Sequence, residues 1–246
     1  MKIDYIIVGC GLAGLAFCER LRKNNKSFIV FDDASQKSSL VAAGMYNPVI
    51  LKRFTEVWMA KEQLDLAKPF YKELESLLGV TLDYEIQLFR LFASIEEQNG
   101  WFHAMDNPNL EPFLSETIIQ NQHIGIDAEF GFGEVLQAGR IDTKSMLASY
   151  HGYLGSKNLL LREKLSFDKL QFDDGIIKYG HIEAKKIVFC EGFGLKNNPF
   201  FNNLPLSGTK GEVITIKAPD LNLDFAIKSS VFLIPESNNL FKVGAT

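Results

Sequence analysis

Residues 9–14 read Gly9-Cys10-Gly11-Leu12-Ala13-Gly14, directly after a β-branched run at 3–8 and opening an amphipathic stretch at 12–23. A β-branched run that ends in glycines predicts a buried parallel strand. In the stretch that follows, Ala13, Ala16, Phe17 and Leu21 fall on one face at helical spacing. Residues 27–31 form a second apolar run, closed by Asp32 and Asp33. Strand, helix and strand thus occupy the length of one βαβ unit. Each glycine has a physical task in such a unit. Gly9 allows the tight turn out of the strand, Gly11 lets a pyrophosphate approach the backbone, and Gly14 lets the helix pack closely on the sheet. The N–H groups of the first helical turn, among them those of Leu12 and Ala13, then point at the phosphates with the positive end of the helix dipole behind them. Asp32 lies near the distance, about 20 residues on, at which a carboxylate takes the ribose hydroxyls. An acid here disfavours a 2′-phosphate. The unit predicts a dinucleotide site, and these residues alone leave FAD and NAD open.

Downstream, periodicity places a helix over 56–78, with Pro69 predicting a kink or break and Gly79 marking its end. A strand is expected over 80–92. Ser94-x-x-Glu97 reads as a capping box for a helix reaching Met105. Residues 130–136 read as strand, and Asp142 or Thr143 caps a helix to about Leu154. Strands at 159–161, 165–172, 176–179 and 181–183 suggest a meander with a hairpin turn at Asp174-Gly175. A separate short strand at 187–190 leads into Glu191-Gly192. Further strands are expected at 212–216, 225–234 and 240–243, the last two joined around Asn238-Asn239. Residues 35–48 read as loop, with room for a short helical turn. No flexible linker interrupts the chain, so a second domain must be interleaved rather than appended.

Four stretches together resemble the FAD-dependent superfamily of D-amino-acid oxidase, sarcosine oxidase and glycine oxidase. The first is the glycine fingerprint with Asp32. The second, residues 38–48, contains Ala42, Ala43, Gly44 and Met45 and resembles the family's small-residue loop, whose backbone approaches pyrophosphate and flavin. The third runs from Gly139-Arg140-Ile141-Asp142 through Leu165 to Glu191-Gly192, similar to the family's return to the cofactor domain. The fourth is Leu204-Pro205-Leu206 followed by Lys210-Gly211-Glu212. The resemblance implies an α/β, Rossmann-like FAD-binding domain interleaved with an α+β substrate domain carrying an antiparallel sheet. The FAD-binding part is expected at 1–52 and 135–196, and the substrate part at 53–134 and 197–246. Implied cofactor contacts are Gly9, Gly11, Leu12, Ala13, Gly14, Asp32, Asp33, Ala42, Ala43, Gly44, Met45, Leu165, Glu191 and Gly192. Arg53 and Lys210 are the substrate-binding candidates, being the cations nearest the matched motifs. No catalytic dyad or triad is evident.

The implied activity is oxidation of a small amine or D-amino acid by hydride transfer to flavin N5. Three other readings stand beside it. One is the oxidase domain of a tRNA-uridine-modifying enzyme, suggested by Met45-Tyr46-Asn47-Pro48. The others are a non-catalytic FAD-binding fragment and an NAD-dependent dehydrogenase sharing only the first βαβ unit. The small-residue loop and the turn at Gly192 speak against the last. The family's chains ordinarily continue past a strand like that at 240–243, so a chain lacking their C-terminal portion is expected.

Composition narrows the partners. The 246 residues carry a formal net charge of -4 and show no basic stripe, which disfavours nucleic acid. Three cysteines without a CxxC pair indicate reduced thiols and a cytoplasmic location. The four histidines lack zinc-ligand spacing, so no metal is expected. The apolar run after Lys2 faintly resembles a lipoprotein signal, but it is short and Asp4 interrupts it. No segment approaches the length of a membrane span.

Overall fold

A computed structural model describes residues 1–123 and 125–245. The chain opens with β1 (Lys2–Val8), α1 (Leu12–Lys23), β2 (Phe28–Phe31) and the short α2 (Ser38–Val41). There follow β3 (Met45–Tyr46), β4 (Val49–Ile50), β5 (Thr55–Glu56), α3 (Ala60–Leu78), β6 (Asp83–Tyr84), β7 (Leu88–Leu91) and α4 (Ile95–Met105). Then come β8 (Leu114–Ile119), β9 (Phe132–Val135), β10 (Gly139–Ile141), α5 (Thr143–Ser156), β11 (Leu160–Leu161), β12 (Gln171–Asp173), β13 (Ile176–Tyr179) and β14 (Ile182–Phe189). The last strands are β15 (Glu212–Lys217), β16 (Ala226–Lys228), β17 (Phe232–Pro235) and β18 (Leu240–Ala245).

Two compact units result, each built from two chain segments. The first comprises Met1–Ala42 and Thr143–Lys210, the second Ala43–Asp142 and Gly211–Thr246. The sequence reading placed residues 43–52 and 135–142 with the cofactor domain. In the structure β10 pairs with both β3 and β6, which ties these residues to the second unit. The stretch 197–210 falls in the first unit instead.

The first unit holds a six-stranded sheet in the order β11-β2-β1-β14-β13-β12. Its strands β11, β2, β1 and β14 are parallel, and the β12–β13 hairpin extends one side antiparallel. Ile6, Ile7 and Val30 are fully buried, as central parallel strands require. The hairpin turn has positive φ at both Asp174 (46°) and Gly175 (76°), the geometry that suits right-twisted strands. β14 replaces the two strands expected at 181–183 and 187–190. Lys185 and Lys186 interrupt the apolar pattern without interrupting the strand. Lys185 Nζ reaches Asp4 Oδ1 at 2.7 Å, and Lys186 lies over the Tyr5 ring. The strand expected over 165–172 is likewise corrected. A 3-10 turn occupies Phe167–Lys169, and pairing begins only at Gln171. Leu165 is buried, with Phe167 and Leu170 packed against the same core, a spacing that no strand provides.

The second unit is built on a seven-stranded sheet, β15-β18-β17-β16-β7-β9-β8, antiparallel except for the parallel β16–β7 pair. Ala60 and Leu64 of α3 and Trp101 of α4 share one core with Leu88, Val135, Ala226 and Ile234. Phe89, Phe132, Phe225, Ile227 and Phe241 form a separate cluster. Helix α3 runs unbroken through Pro69, against expectation. The proline is exposed while Ala60, Leu64 and Leu74 are buried, so packing outweighs the lost hydrogen bond, worth about 3 kcal/mol with the ring clash. The capping box at Ser94 is half realised. Ser94 Oγ accepts the Glu97 N–H at 3.3 Å, but Glu97 Oε2 accepts from Ala93 rather than from Ser94. The strand expected over 225–234 divides into β16 and β17 at a turn where Ser229 N–H donates to Val231 O.

Candidate functional site

In the first unit the fingerprint forms a close-packed strand–turn–helix. Gly9 has φ of +92°, and a Cβ there would lie 2.5 Å from Cys190 O. A Cβ on Gly14 would lie 2.2 Å from Gly9 O. Both glycines are therefore demanded by backbone contact. Gly11 differs. It is the N-cap of α1 with φ -77°, and a Cβ on it would meet only Ser39 Oγ, at 3.1 Å. As the N-cap residue it gives α1 no side-chain cap; a long 3.5 Å contact from Leu12 N–H to Ser39 Oγ stands in its place, and the first turn contains no acidic residue. Leu12 and Ala13 are exposed. The helix thus presents its N–H groups and dipole to an anion.

Asp32 is fixed beside this cradle. Its Oδ2 accepts the Cys10 N–H at 2.6 Å and its Oδ1 the Ala34 N–H at 2.7 Å. Each carboxylate oxygen keeps a further lone pair, so two hydroxyl donors can still be received. Asp33 turns instead to the Ser35 N–H at 3.0 Å, and the hydrogen bonds from Ser35 lower its pKa.

A thiol cluster lies beneath the turn. Cys10 and Cys18 are buried, Cys190 is half-buried, and all three are free. The Cys18 thiol hydrogen-bonds to Cys10 and, with help from His151, holds the Cys10 thiol below its ordinary pKa against the opposing effect of burial. Cys18 is correspondingly pushed up. His151 Nε2 lies 3.0 Å from Cys10 O, and its pKa is raised first by the Cys10 side chain.

The remaining residues predicted in this unit are placed as follows. Ala42 ends α2 and is half-buried. Leu165 is buried in the core beside β1 and β2. Glu191 is occupied locally, its Oε2 accepting from the buried Asn198 Nδ2 at 2.6 Å. Gly192 has φ of +54° with open space where a Cβ would stand, so its backbone is approachable. Lys210 is exposed at the end of this unit, outside regular structure. Sequence reasoning passed over Ser39, whose hydroxyl stands above Gly11. Its motif context, two serines before the small-residue loop, was the available signal.

In the second unit, Ala43, Gly44 and Met45 lie against β10. Gly44 has φ of +79°, and a Cβ would fall 2.0 Å from Ile141 O. Its smallness is consumed by backbone packing rather than left as space for a ring. Met45 pairs with Arg140 across β3–β10. Arg53 is exposed in the turn between β4 and β5. Beyond this loop lies a mainly apolar cavity of about 220 Å³, in which Ala60, Leu64 and Ala67 of α3 stand beside Tyr46, Lys68 and Tyr71. Tyr46 donates its hydroxyl proton to Asp83 Oδ1 at 2.9 Å. Burial first, and Asp83 second, raise the pKa values of both Tyr46 and Tyr71, so both phenols are neutral at pH 7. No periodicity in the sequence announced this cavity, because α3 and the segment 46–48 meet only in the folded unit.

The chain matches the family model described as DAO, FAD dependent oxidoreductase, over residues 4–246. It belongs to the FAD-dependent oxidoreductase (DAO) family. Solved structures of similar fold include glycine oxidase from Geobacillus kaustophilus, at 19% identity and a TM-score of 0.74, with 100% of this chain and 71% of that one covered. Iminodiacetate oxidase from Chelativorans sp. BNC1 matches at 14% identity and a TM-score of 0.76, covering 99% and 71%. L-amino acid deaminase from Proteus vulgaris matches at 16% identity and a TM-score of 0.69, covering 99% and 60%. Likeness at these identities carries the fold.

The cofactor of this DAO-family oxidoreductase is FAD, and the residues present fit it. The N-terminus of α1, met only by the long contact to Ser39 Oγ, the approachable backbone at Gly11 and Gly192, and the spare lone pairs of Asp32 match a pyrophosphate and a ribose diol. Among the described residues no cluster of three or more His, Cys, Asp or Glu side chains can hold a metal ion, and no helix is long and apolar enough to cross a membrane.

Proposed function

We propose that this DAO-family oxidoreductase oxidises the carbon–nitrogen bond of a small amine or amino acid, D-amino acids included. The observation that carries the reading is the α1 cradle with Asp32 beside it. When bound, FAD supplies the acceptor for a hydride, and with it two electrons. The first unit's own residues do the holding. The N–H groups of α1 bind the pyrophosphate, Asp32 takes the ribose hydroxyls, and Gly192 lets the dinucleotide lie against the backbone. The substrate loses its Cα hydrogen as hydride while the nitrogen lone pair forms the C=N bond. Water then hydrolyses the imine to a carbonyl compound and an amine or ammonia.

Two features support the substrate class. Three neighbours of like fold are named for glycine, iminodiacetate and L-amino acids. The cavity beside Tyr46 is smaller than the pockets that enclose drug-sized ligands. Its two phenols stay protonated and do not act as bases; the Tyr46 proton is given to Asp83, which leaves only Tyr71 of the two to donate to a bound substrate.

The test is spectroscopic. The purified protein, loaded with FAD and freed of oxygen, should lose its visible flavin band when a panel of small amines and amino acids of both hands is added. A protein that retains FAD but is reduced by no member of the panel would sink the proposal.

A further inference from the structure

Tyr150 and His151 are consecutive residues of α5, and both side chains reach back to the βαβ unit that opens the chain. The Tyr150 hydroxyl donates to Glu19 Oε1 of α1 at 2.9 Å, and both residues are buried. His151 Nε2 stands 3.0 Å from the carbonyl oxygen of Cys10, 141 residues away in sequence and inside the glycine turn. A carbonyl oxygen only accepts, so Nε2 carries the proton of this bond whatever the charge at Nδ1.

Cys10 is therefore held from two sides. Its N–H donates to Asp32 Oδ2 at 2.6 Å, and its C=O accepts from His151. Asp32 fixes the Gly9–Cys10 peptide plane and His151 the Cys10–Gly11 plane. The second plane needs such a hold, because the glycine that follows it leaves the backbone free to turn the peptide over at little steric cost. The peptide is trans, so its C=O and N–H point in opposite directions. With the oxygen turned to α5, the Gly11 N–H is directed away from α5. That N–H donates to no group among the described residues, and Gly11 is only half-buried. Turned over, the same plane would offer a carbonyl oxygen to the pyrophosphate, and repulsion would replace attraction.

We infer that His151 is a positioning residue for the cofactor: through the Cys10 carbonyl it holds the Cys10–Gly11 peptide so that the Gly11 N–H serves the FAD pyrophosphate. This rests on the reading of the α1 cradle as the phosphate site. Donation to the carbonyl also polarises the peptide and makes its N–H the better donor. The role gives α5, which comes from the second chain segment of this unit, a share in cofactor binding.

The test follows the Gly11 amide by NMR as the apoprotein is titrated with ADP, which carries a pyrophosphate without the flavin, and reads FAD affinity by quenching of flavin fluorescence. In the parent, the Gly11 amide proton should move downfield on adding ADP as it gains a charged acceptor. His151→Phe keeps a flat ring and removes the donor. FAD affinity should fall about tenfold or more, the order of one hydrogen bond to a charged group, and the ADP-induced shift at Gly11 should shrink. His151→Gln carries an amide N–H at similar reach and should return both to near the parental values. A merely structural histidine predicts a lower melting midpoint for His151→Phe with parental FAD affinity and a parental Gly11 shift, and that result overturns the inference. If His151→Phe does not fold, His151→Asn replaces it, polar like glutamine but one carbon too short for the carbonyl; it should show the same two losses, and parental values in it overturn the inference. A folded His151→Gln as weak as His151→Phe also overturns it. No ADP-induced shift at Gly11 in the parent overturns the cradle together with the positioning role. A parental shift in His151→Phe overturns the positioning role alone and leaves the cradle and the oxidation reading standing.

Discussion

Gly11 and Gly14 stand three residues apart in one motif, yet alanine at each should fail in a different way. At Gly14 the new methyl carbon would lie 2.2 Å from the Gly9 carbonyl oxygen. A carbon–oxygen contact needs about 3.3 Å. Both atoms belong to the strand–turn–helix backbone, so relief requires α1 to move off the sheet by about 1 Å, the kind of overpacking that costs 1–3 kcal/mol. For a chain of this size that corresponds to a fall of roughly 2–12 °C in the apoprotein's melting midpoint. At Gly11 the methyl would meet only the Ser39 hydroxyl at 3.1 Å, and φ is an ordinary -77°. The small gain from a stiffer unfolded chain and the small loss of N-cap preference leave stability within about 1 kcal/mol of the parent. The methyl does, however, occupy the approach to the α1 N-terminus. FAD affinity should fall about 100-fold, or about 2.7 kcal/mol. Thermal unfolding by circular dichroism reads the first effect, and quenching of flavin fluorescence on titrating apoprotein reads the second. Gly11→Ala with parental FAD affinity would refute the phosphate approach, and Gly14→Ala with a parental midpoint would refute the packing argument.

Asp32→Ala should both strand the buried Cys10 N–H, at about 1–3 kcal/mol of stability, and weaken FAD through the lost ribose contacts; parental values for apoprotein melting and FAD titration together would contradict this. Tyr150→Phe removes a 2.9 Å hydrogen bond to the buried Glu19, whose other partner is Arg22. It should lower the denaturant midpoint by the equivalent of about 1–3 kcal/mol, and an unchanged midpoint argues against the contact. Glu75 accepts the Leu82 and Asp83 N–H groups at 2.7 and 3.0 Å, which lowers its pKa in the folded state. Its contribution is therefore complete above the ordinary carboxylate pKa and lost as pH falls through the depressed one. Denaturation of the parent and Glu75→Gln should converge on acidification, and curves that stay parallel would refute the linkage. His151 should titrate above its ordinary 6.5 by NMR. Cys10→Ala should bring it down, because burial alone lowers it, and a midpoint that does not move would show that the thiol is not the cause.

The part of the cofactor site that was legible from residues alone is the part whose information is local. The fingerprint, α1 and Asp32 lie within one βαβ unit, where glycine spacing and apolar periodicity act over a few residues. The helix at 12–23 accordingly lies where the sequence places it. Local pattern misled wherever a distant partner overruled it. Lys185 and Lys186 look like a strand break, yet β1 supplies Asp4 and Tyr5 to receive them. Pro69 looks like a helix break, yet its ring faces solvent while the opposite face of α3 is held in a core.

Other features were decided by tertiary structure alone. The small-residue loop was legible as small, but only folding shows that Gly44 is spent on Ile141's carbonyl rather than on a ligand. Glu236 lies 96 residues from Arg140 and across a strand turn from Lys242. No periodicity links such positions, because charge pairing across sheets depends on which strands become neighbours, and that is settled by the burial of whole apolar faces. The sequence by itself thus determined a dinucleotide cradle and, with three further matching stretches, a family resemblance; tertiary structure decided which small residues and which charges are spent on contacts within the fold.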